Sequence, residues 1–197
     1  MAHQRKSATD RKAEIVQTAI RLAGDYGPDR VTTQQLADAI GISQPAIFRH
    51  FPTKSDIWLA VGEMMARRMA IQQMDSDTGD PLAELHALIS RHLGQIVQTP
   101  ALPAILFSRE LHAENEPLRR HFETVMANRR AGFSGLIRRA QATGQLGAKT
   151  DADDIAALIL AAIQGLATRW SLENRGFDLR AEGGRLITVL IDGFRPV

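Results

Sequence analysis

Apolar residues recur along this chain at spacings of three and four rather than two, and runs of β-branched residues bounded by turn pairs are missing. That periodicity belongs to amphipathic helices, so the chain is expected to be all-α. A first helix over about 10–24 places Ile15, Ala19, Leu22 and Ala23 on one side, with Val16 and Ile20 beside them, and ends near Gly27-Pro28. Thr32 with Gln35 has the spacing of a capping box, and Ser43 precedes a further start in which Pro45 loses no intrahelical hydrogen bond. Thr53 with Asp56 opens a longer helix through Ile57, Val61, Met64 and Met65 towards Met74, where the segment MDSDTGDP breaks the pattern.

Beyond the break, Asp80-Pro81 opens a helix to about Gln98. The segment TPALP is expected to interrupt before a short helix from Ile105 to His112. A long helix then runs from Asn115-Glu116-Pro117 to Gly144 on a stripe of Leu118, Phe122, Val125, Met126, Phe133, Leu136, Ile137 and Ala140. The arginine pairs Arg119-Arg120, Arg129-Arg130 and Arg138-Arg139 are assigned to its solvated side. Acidic residues from Asp151 to Asp154 start the next helix, ending near Asn174, and Asp178 or Leu179 opens the last, ending near Gly193. The division expected is an N-terminal three-helix domain over 1–60 and a larger helical domain over 61–197, meeting within a shared helix.

Composition narrows the chemistry. With 197 residues, 44% of them hydrophobic, a sizeable core needs no staples. The absence of cysteine excludes disulfides, thiolate zinc sites and thiol nucleophiles, and fits a cytoplasmic location. The charged N-terminus does not read as an export signal, and the longest apolar run, Ile155 to Ile163, is short for a membrane span, so no membrane partner is expected. Net charge is only +2, but residues 1–54 hold eight Lys or Arg against five Asp or Glu, whereas the other 143 hold 16 against 17. Any polyanion contact is therefore expected at the N-terminal end, with Arg5 and Lys6 as an accessory arm.

The segment TTQQLADAIGISQPAIFRHF has a geometric reading. Ala37 lies four residues before Gly41, with Leu36, Ile40, Ile42 and Ile47 apolar around them. Two helices crossing steeply through a short turn need a small residue where their backbones approach, a glycine at positive φ, and apolar residues facing inward. The second helix then projects outward and its first residues can enter a major groove. Gln44, Arg49 and His50 are read as outward-facing.

Residues 11–61 resemble the N-terminal domain of TetR-family regulators, whose motif is written T-x-x-x-I-A-x-x-A-G-V-S-x-G-T-L-Y-x-Y-F-x-x-K. The match is ungapped and covers about a quarter of the chain. It implies that Thr33 starts the positioning helix, that Ser43, Gln44, Pro45 and Ala46 form the tip of the recognition helix, and that Phe48, Arg49, His50 and Lys54 lie near double-stranded DNA. The chain departs from the motif where Pro45 replaces glycine, Ala46 threonine, and Phe48 and His50 two tyrosines, which removes two phenolic phosphate contacts. Side-chain chemistry suits Gln44 to adenine, Arg49 to guanine or phosphate, and Pro45 and Ala46 to a thymine methyl. Lys54, beside backbone N–H groups at a helix start, suits a phosphate.

The last two helices are apolar on more than one face, and Ala157, Ala161 and Gly165 permit close approach. A homodimer through these helices is expected, with Leu186 and Leu190 contributing, and the resemblance implies the same. Two recognition helices about 34 Å apart would read a pseudo-palindromic operator. The resemblance further implies a small, mainly apolar effector that releases a repressor from its operator, in a cavity lined by Leu85, Leu88, Phe107, Phe122 and Met126. No cofactor or metal is expected. The six histidines form no His-Glu-x-x-His arrangement, and nucleophile elbows and phosphate-binding glycine loops are missing, so an enzyme is not expected. An activator, or a chromosome-organising or division-linked DNA-binding protein on the same fold, is the alternative.

Overall fold

The computed structural model describes residues 6–71 and 79–196. The expected arm residue Arg5 and most of the break after Ile71 lie outside them. Among the described residues there are ten α-helices and no strand: α1 (Ala8–Tyr26), α2 (Thr33–Ile40), α3 (Gln44–Phe48), α4 (Lys54–Ile71), α5 (Pro81–Gln98), α6 (Ala101–Leu106), α7 (Arg109–Glu114), α8 (Glu116–Ala142), α9 (Ala152–Leu172) and α10 (Leu179–Asp192). A 3-10 turn, Pro28–Arg30, follows α1.

Most starts are set by local chemistry. The Asp80 carboxylate accepts from the Leu82 and Ala83 N–H groups at 3.1 Å each and opens α5. Asp151 and Asp178 do the same for α9 and α10. The TPALP segment interrupts as expected, since α5 ends at Gln98 and Thr99-Pro100 are not helical, but its last three residues already open α6, and the single helix expected from Ile105 to His112 is corrected to α6 and α7. Pro100 precedes α6 and Pro103 lies in its first turn, where no N–H is needed, so the two prolines also fit a helix start. A second break falls at Phe107-Ser108, before α7.

The chain forms two compact units, and α4, α6 and α8 contribute residues to both. The first unit holds residues 6–67 and 104–122. Its buried residues include Ile15, Ala19, Val31, Leu36, Ile47, Ile57, Trp58, Val61, Leu118 and Phe122. The second unit holds 68–71, 79–103 and 123–196, with α10 against α5 and α9. Leu85, Ile89, Leu93, Phe133, Ile137, Ile155, Ile159, Ile163, Ile187 and Ile191 are buried in it. A side chain at Gly183 would come within 3.1 Å of Leu93, which shows how closely α10 approaches α5.

By length and composition α9 is the one helix among the described residues apolar enough to cross a membrane. Its Ile155, Ile159, Ile163 and Trp170 are instead buried within the second unit. The arginine assignment also needs correction. Arg119, Arg120, Arg130, Arg138 and Arg139 are exposed, but Arg129 is only 4% exposed. A 3.6-residue period turns Arg129 onto the Met126–Phe133 face of α8, one helical step from its solvent-facing neighbour.

His92 on α5 is buried edge-on to Phe133, with ring centroids 6.5 Å apart. Burial holds its pKa well below the ordinary 6.5, and the charge of Arg129 acts in the same direction. The folded protein keeps this ring neutral while the unfolded chain protonates it below about pH 6.5, so stability is lost as pH falls through that value. His92→Phe is expected to flatten the dependence of urea-unfolding free energy on pH between 6.5 and 5 by up to about 1.4 kcal/mol per pH unit.

Candidate nucleic-acid interface

The interface is built outward from two short helices. Thr32 and Gln35 form a reciprocal capping box: Thr32 Oγ1 accepts from the Gln35 N–H at 3.1 Å, and Gln35 Oε1 accepts from the Thr32 N–H at 2.8 Å. α2 ends at Gly41, whose φ of 69° and ψ of 39° lie in the left-handed region that favours glycine. The Ile42 N–H turns back to the Ala37 carbonyl at 3.0 Å, and Ser43 then takes the extended backbone of an N-cap. Its hydroxyl makes no cap hydrogen bond. Ala37 and Ile47, both 0% exposed, fill the crossing of α2 and α3. Gln44 Nε2 donates to Thr33 Oγ1 at 2.7 Å, a second tie between the helices.

This crossing sorts the sequence-predicted residues. Ser43, Pro45, Phe48 and Arg49 are exposed, while Gln44, His50 and Lys54 are half-buried. Ala46, expected at the outer tip, is 7% exposed and points into the crossing, so its methyl is withdrawn from a base edge. Thr33 is 9% exposed with its hydroxyl engaged by Gln44, which makes it a positioning residue. That bond uses one of the two amide hydrogens of Gln44, leaving the other and the carbonyl oxygen for an adenine. Arg49 makes no side-chain hydrogen bond or ion pair among the described residues.

Thr53 and Asp56 open α4 reciprocally: Asp56 Oδ2 accepts from the Thr53 N–H at 2.9 Å, and Thr53 Oγ1 accepts from the Asp56 N–H at 3.1 Å. Lys54 therefore sits at the first residue of a capped helix. It also rims a cleft that Asp29, Glu110 and Glu114 line. Lys12 stands over the Phe51 ring at 5.4 Å, and Lys6 pairs with Glu14 at 2.7 Å, which fixes one of the two arm cations against α1.

Two buried ties were not read from the sequence. Ser108 Oγ donates to Asp29 Oδ1 at 2.6 Å and accepts from the Leu111 N–H at 3.0 Å. Asn115, 3% exposed, donates from Nδ2 to the Ser55 carbonyl at 2.9 Å and accepts from the Leu118 N–H at 3.1 Å. Their positions just ahead of α7 and α8 were the available signal, since Ser and Asn favour N-caps.

Of the residues expected to line a ligand cavity, Leu85, Leu88 and Phe122 are buried and Met126 is half-buried. Phe107 is 40% exposed between α6 and α7 and is not the wall of an enclosed space. Leu85, Leu88 and Met126 belong to the second unit, Phe107 and Phe122 to the first. His112 of the Glu110–Glu114 stretch turns inward, with Nε2 2.9 Å from the Leu106 carbonyl and its ring edge-on to Phe122.

A capped positioning helix, a left-handed glycine turn and a short helix presenting Gln44, Pro45 and Arg49 define a helix-turn-helix protein with a second helical unit. Residues 15–61 match the bacterial regulatory proteins of the tetR family, and residues 75–175 match the tetracyclin repressor-like C-terminal domain. The chain belongs to the TetR family of transcriptional regulators. It is 28% identical over 173 residues to the nucleoid occlusion factor SlmA of Escherichia coli, covering 86% of this chain and 87% of that protein. A TetR transcription regulator from Haloarcula marismortui superposes with a TM-score of 0.80 at 23% identity, over 94% of this chain and 98% of the other. The transcriptional regulator FadR from Bacillus subtilis, in complex with stearoyl-CoA, gives 0.74 at 19% identity, over 93% and 99%. Both structures carry the same fold.

Ala37→Leu places three further carbons where α2 meets α3. Overpacking of this kind costs about 1–3 kcal/mol. Thermal unfolding is expected at lower temperature, and DNA affinity measured below the transition is expected to fall because α3 tilts.

Proposed function

We propose that this protein is a sequence-specific transcription repressor that binds a pseudo-palindromic operator as a homodimer and is released by a small, mainly apolar ligand. Residues 1–60 read the DNA and residues 61–197 dimerise and hold the ligand, in the cytoplasm. The observation that carries the DNA reading is the surface of α3 and its flanks: Ser43, Pro45, Phe48 and Arg49 are exposed with Gln44 half-buried beside them, and the Arg49 guanidinium has no hydrogen-bond or ion-pair partner among the described residues. Ser43, His50 and Lys54 supply phosphate contacts, and Gln44 and Arg49 meet base edges.

Fluorescence anisotropy with duplex from the DNA flanking the gene, against scrambled duplex and across a salt series, tests this. Tighter binding to the flanking duplex is expected, weakening with salt. Lys54→Ala should weaken binding to both duplexes alike and reduce the salt slope by about one. Gln44→Ala should weaken the flanking duplex alone, by the equivalent of about 1–3 kcal/mol. Equal affinity for flanking and scrambled DNA under all conditions would remove local autoregulation.

The dimer rests on exposed apolar surface along α9 and α10. Ala157, Leu158, Ala161 and Gly165 recur at helical spacing on the exposed side of α9, and Val189 is 63% exposed with Leu186 and Leu190 half-buried beside it. A side chain at Gly165 meets nothing within 4 Å in the single chain, so the space beside it is open to a second chain. Light scattering at micromolar concentration is expected to give twice the chain mass, and Leu158→Glu with Val189→Glu to give one chain mass without loss of helix by circular dichroism.

For the ligand, Leu85, Leu88 and Met126 of the second unit are the proposed lining, and the complex of FadR, a protein of the same fold, with stearoyl-CoA supports a small-molecule effector. The likeness to SlmA over 86% of the chain favours a second reading, a nucleoid-associated DNA-binding role. Many scattered bound fragments in a genome-wide selection, rather than one operator, would select it.

A further inference from the structure

Within the second unit, α5 and α8 enclose a set of polar groups that packing alone does not explain. Arg129 is 4% exposed on α8, and its one hydrogen bond among the described residues runs from Nη2 to Gln95 Oε1 at a long 3.4 Å. No carboxylate pairs with it among the described residues. A guanidinium carries five N–H donors in a fork matched to carboxylate and phosphate, so among the described residues most of this fork is uncommitted. Gln95 is itself buried, and its amide donates to the Arg68 carbonyl at 3.5 Å. His92, one turn before Gln95 on α5, is 8% exposed, and its Nδ1 has no hydrogen-bond partner.

A buried cation without a counter-charge is disfavoured, and burial already lowers the Arg129 pKa to about 10. It still remains charged at neutral pH. Opposite charge would normally come from a nearby Asp or Glu, yet among the described residues the groups recorded beside it are neutral: Gln95 and the His92 ring. Met126 and Phe133 lie one turn to either side of Arg129 on the same face of α8, so the uncommitted charge is set in an apolar stripe.

We infer that Arg129 is the anchor for the acidic headgroup of the effector, which is an amphipathic molecule with a carboxylate or phosphate on an apolar body. Gln95 orients the guanidinium, His92 offers a neutral ring nitrogen beside it, and the apolar body lies along the Met126 and Phe133 side of α8. This inference deepens the ligand-released repressor reading and rests on it.

The test compares decanoate, decyl phosphate and decan-1-ol, which share one tail, by calorimetric titration and by release of the protein from operator duplex. Decanoate or decyl phosphate should bind at least tenfold more tightly than decan-1-ol, and the stronger of the two identifies the headgroup. Arg129→Met should abolish that preference while melting no lower than the parent, since it removes an unbalanced buried charge. Arg129→Lys, which keeps the charge, should retain part of it. Equal binding of alcohol and acids, no binding of either acid, or an Arg129→Met protein that melts well below the parent and still prefers the acids would overturn the inference. Release by neutral compounds alone would do so while leaving ligand control intact. Failure of every compound in a broad library to release operator DNA would remove the reading beneath it.

Discussion

The five-residue α3 cannot hold itself together. Helix nucleation fixes several residues before any hydrogen bond rewards them, and isolated helices far longer than this are marginal in water. Whatever α3 presents to DNA is therefore borrowed from its crossing with α2. Three features set that crossing: the burial of Ala37 and Ile47, the left-handed turn at Gly41, and the Gln44 to Thr33 hydrogen bond. Chemical identity on the outer surface is consequently free to vary. Pro45, Phe48 and His50 all depart from the family motif at positions the crossing does not bury. Pro45 costs nothing in the first turn, where its missing N–H has no partner to lose.

The same logic extends to how the DNA-reading unit is held from the far side of the sequence. Ser108 reaches Asp29 over 79 residues, and Asn115 reaches Ser55 over 60. Ser55 follows Lys54 at the start of α4, and Asp29 lies in the turn that leads into α2. Residues 104–122 thus grip the unit at both ends of its helix-turn-helix. A shift of α7 or of the first turn of α8 is felt at these two points. Control of DNA binding by a ligand needs an element with two arrangements that the ligand distinguishes. These buried hydrogen bonds are the physical links through which such an element would act.

What could be read from the chain in advance followed range. Caps act within four residues, so Thr32 with Gln35, Thr53 with Asp56, Asp80, Asp151 and Asp178 each marked a helix start that the structure contains. The helix-turn-helix is local enough to be recognised as a block. TPALP was read only as an interruption, which Thr99-Pro100 provide, although the spacing of its two prolines also fits a helix opening at Ala101. Ala46 looked outward because its burial depends on the angle between α2 and α3, which no local pattern encodes. Ser108 and Asn115 were invisible as ties because their partners lie tens of residues away.

Arg129 was the least legible residue, and the reason bears on how the second unit works. In sequence it is one of three arginine pairs on a helix rich in charge, and doublets of this kind usually straddle a solvated face. Its neighbour Arg130 does face solvent, while Arg129 is turned inward by the 100° step of the helix. Buried charges are retained against a desolvation penalty of several kcal/mol per ion unless the group is matched. With a neutral Gln95 and a neutral His92 as its recorded neighbours, Arg129 lacks a match among the described residues, and under the proposal an effector anion would relieve that penalty. Allosteric coupling needs a ligand to favour one arrangement by only about 1–3 kcal/mol. A guanidinium whose counter-charge arrived with the effector would be one physical source of such a difference, whereas an apolar cavity without charge would have to obtain it from shape alone.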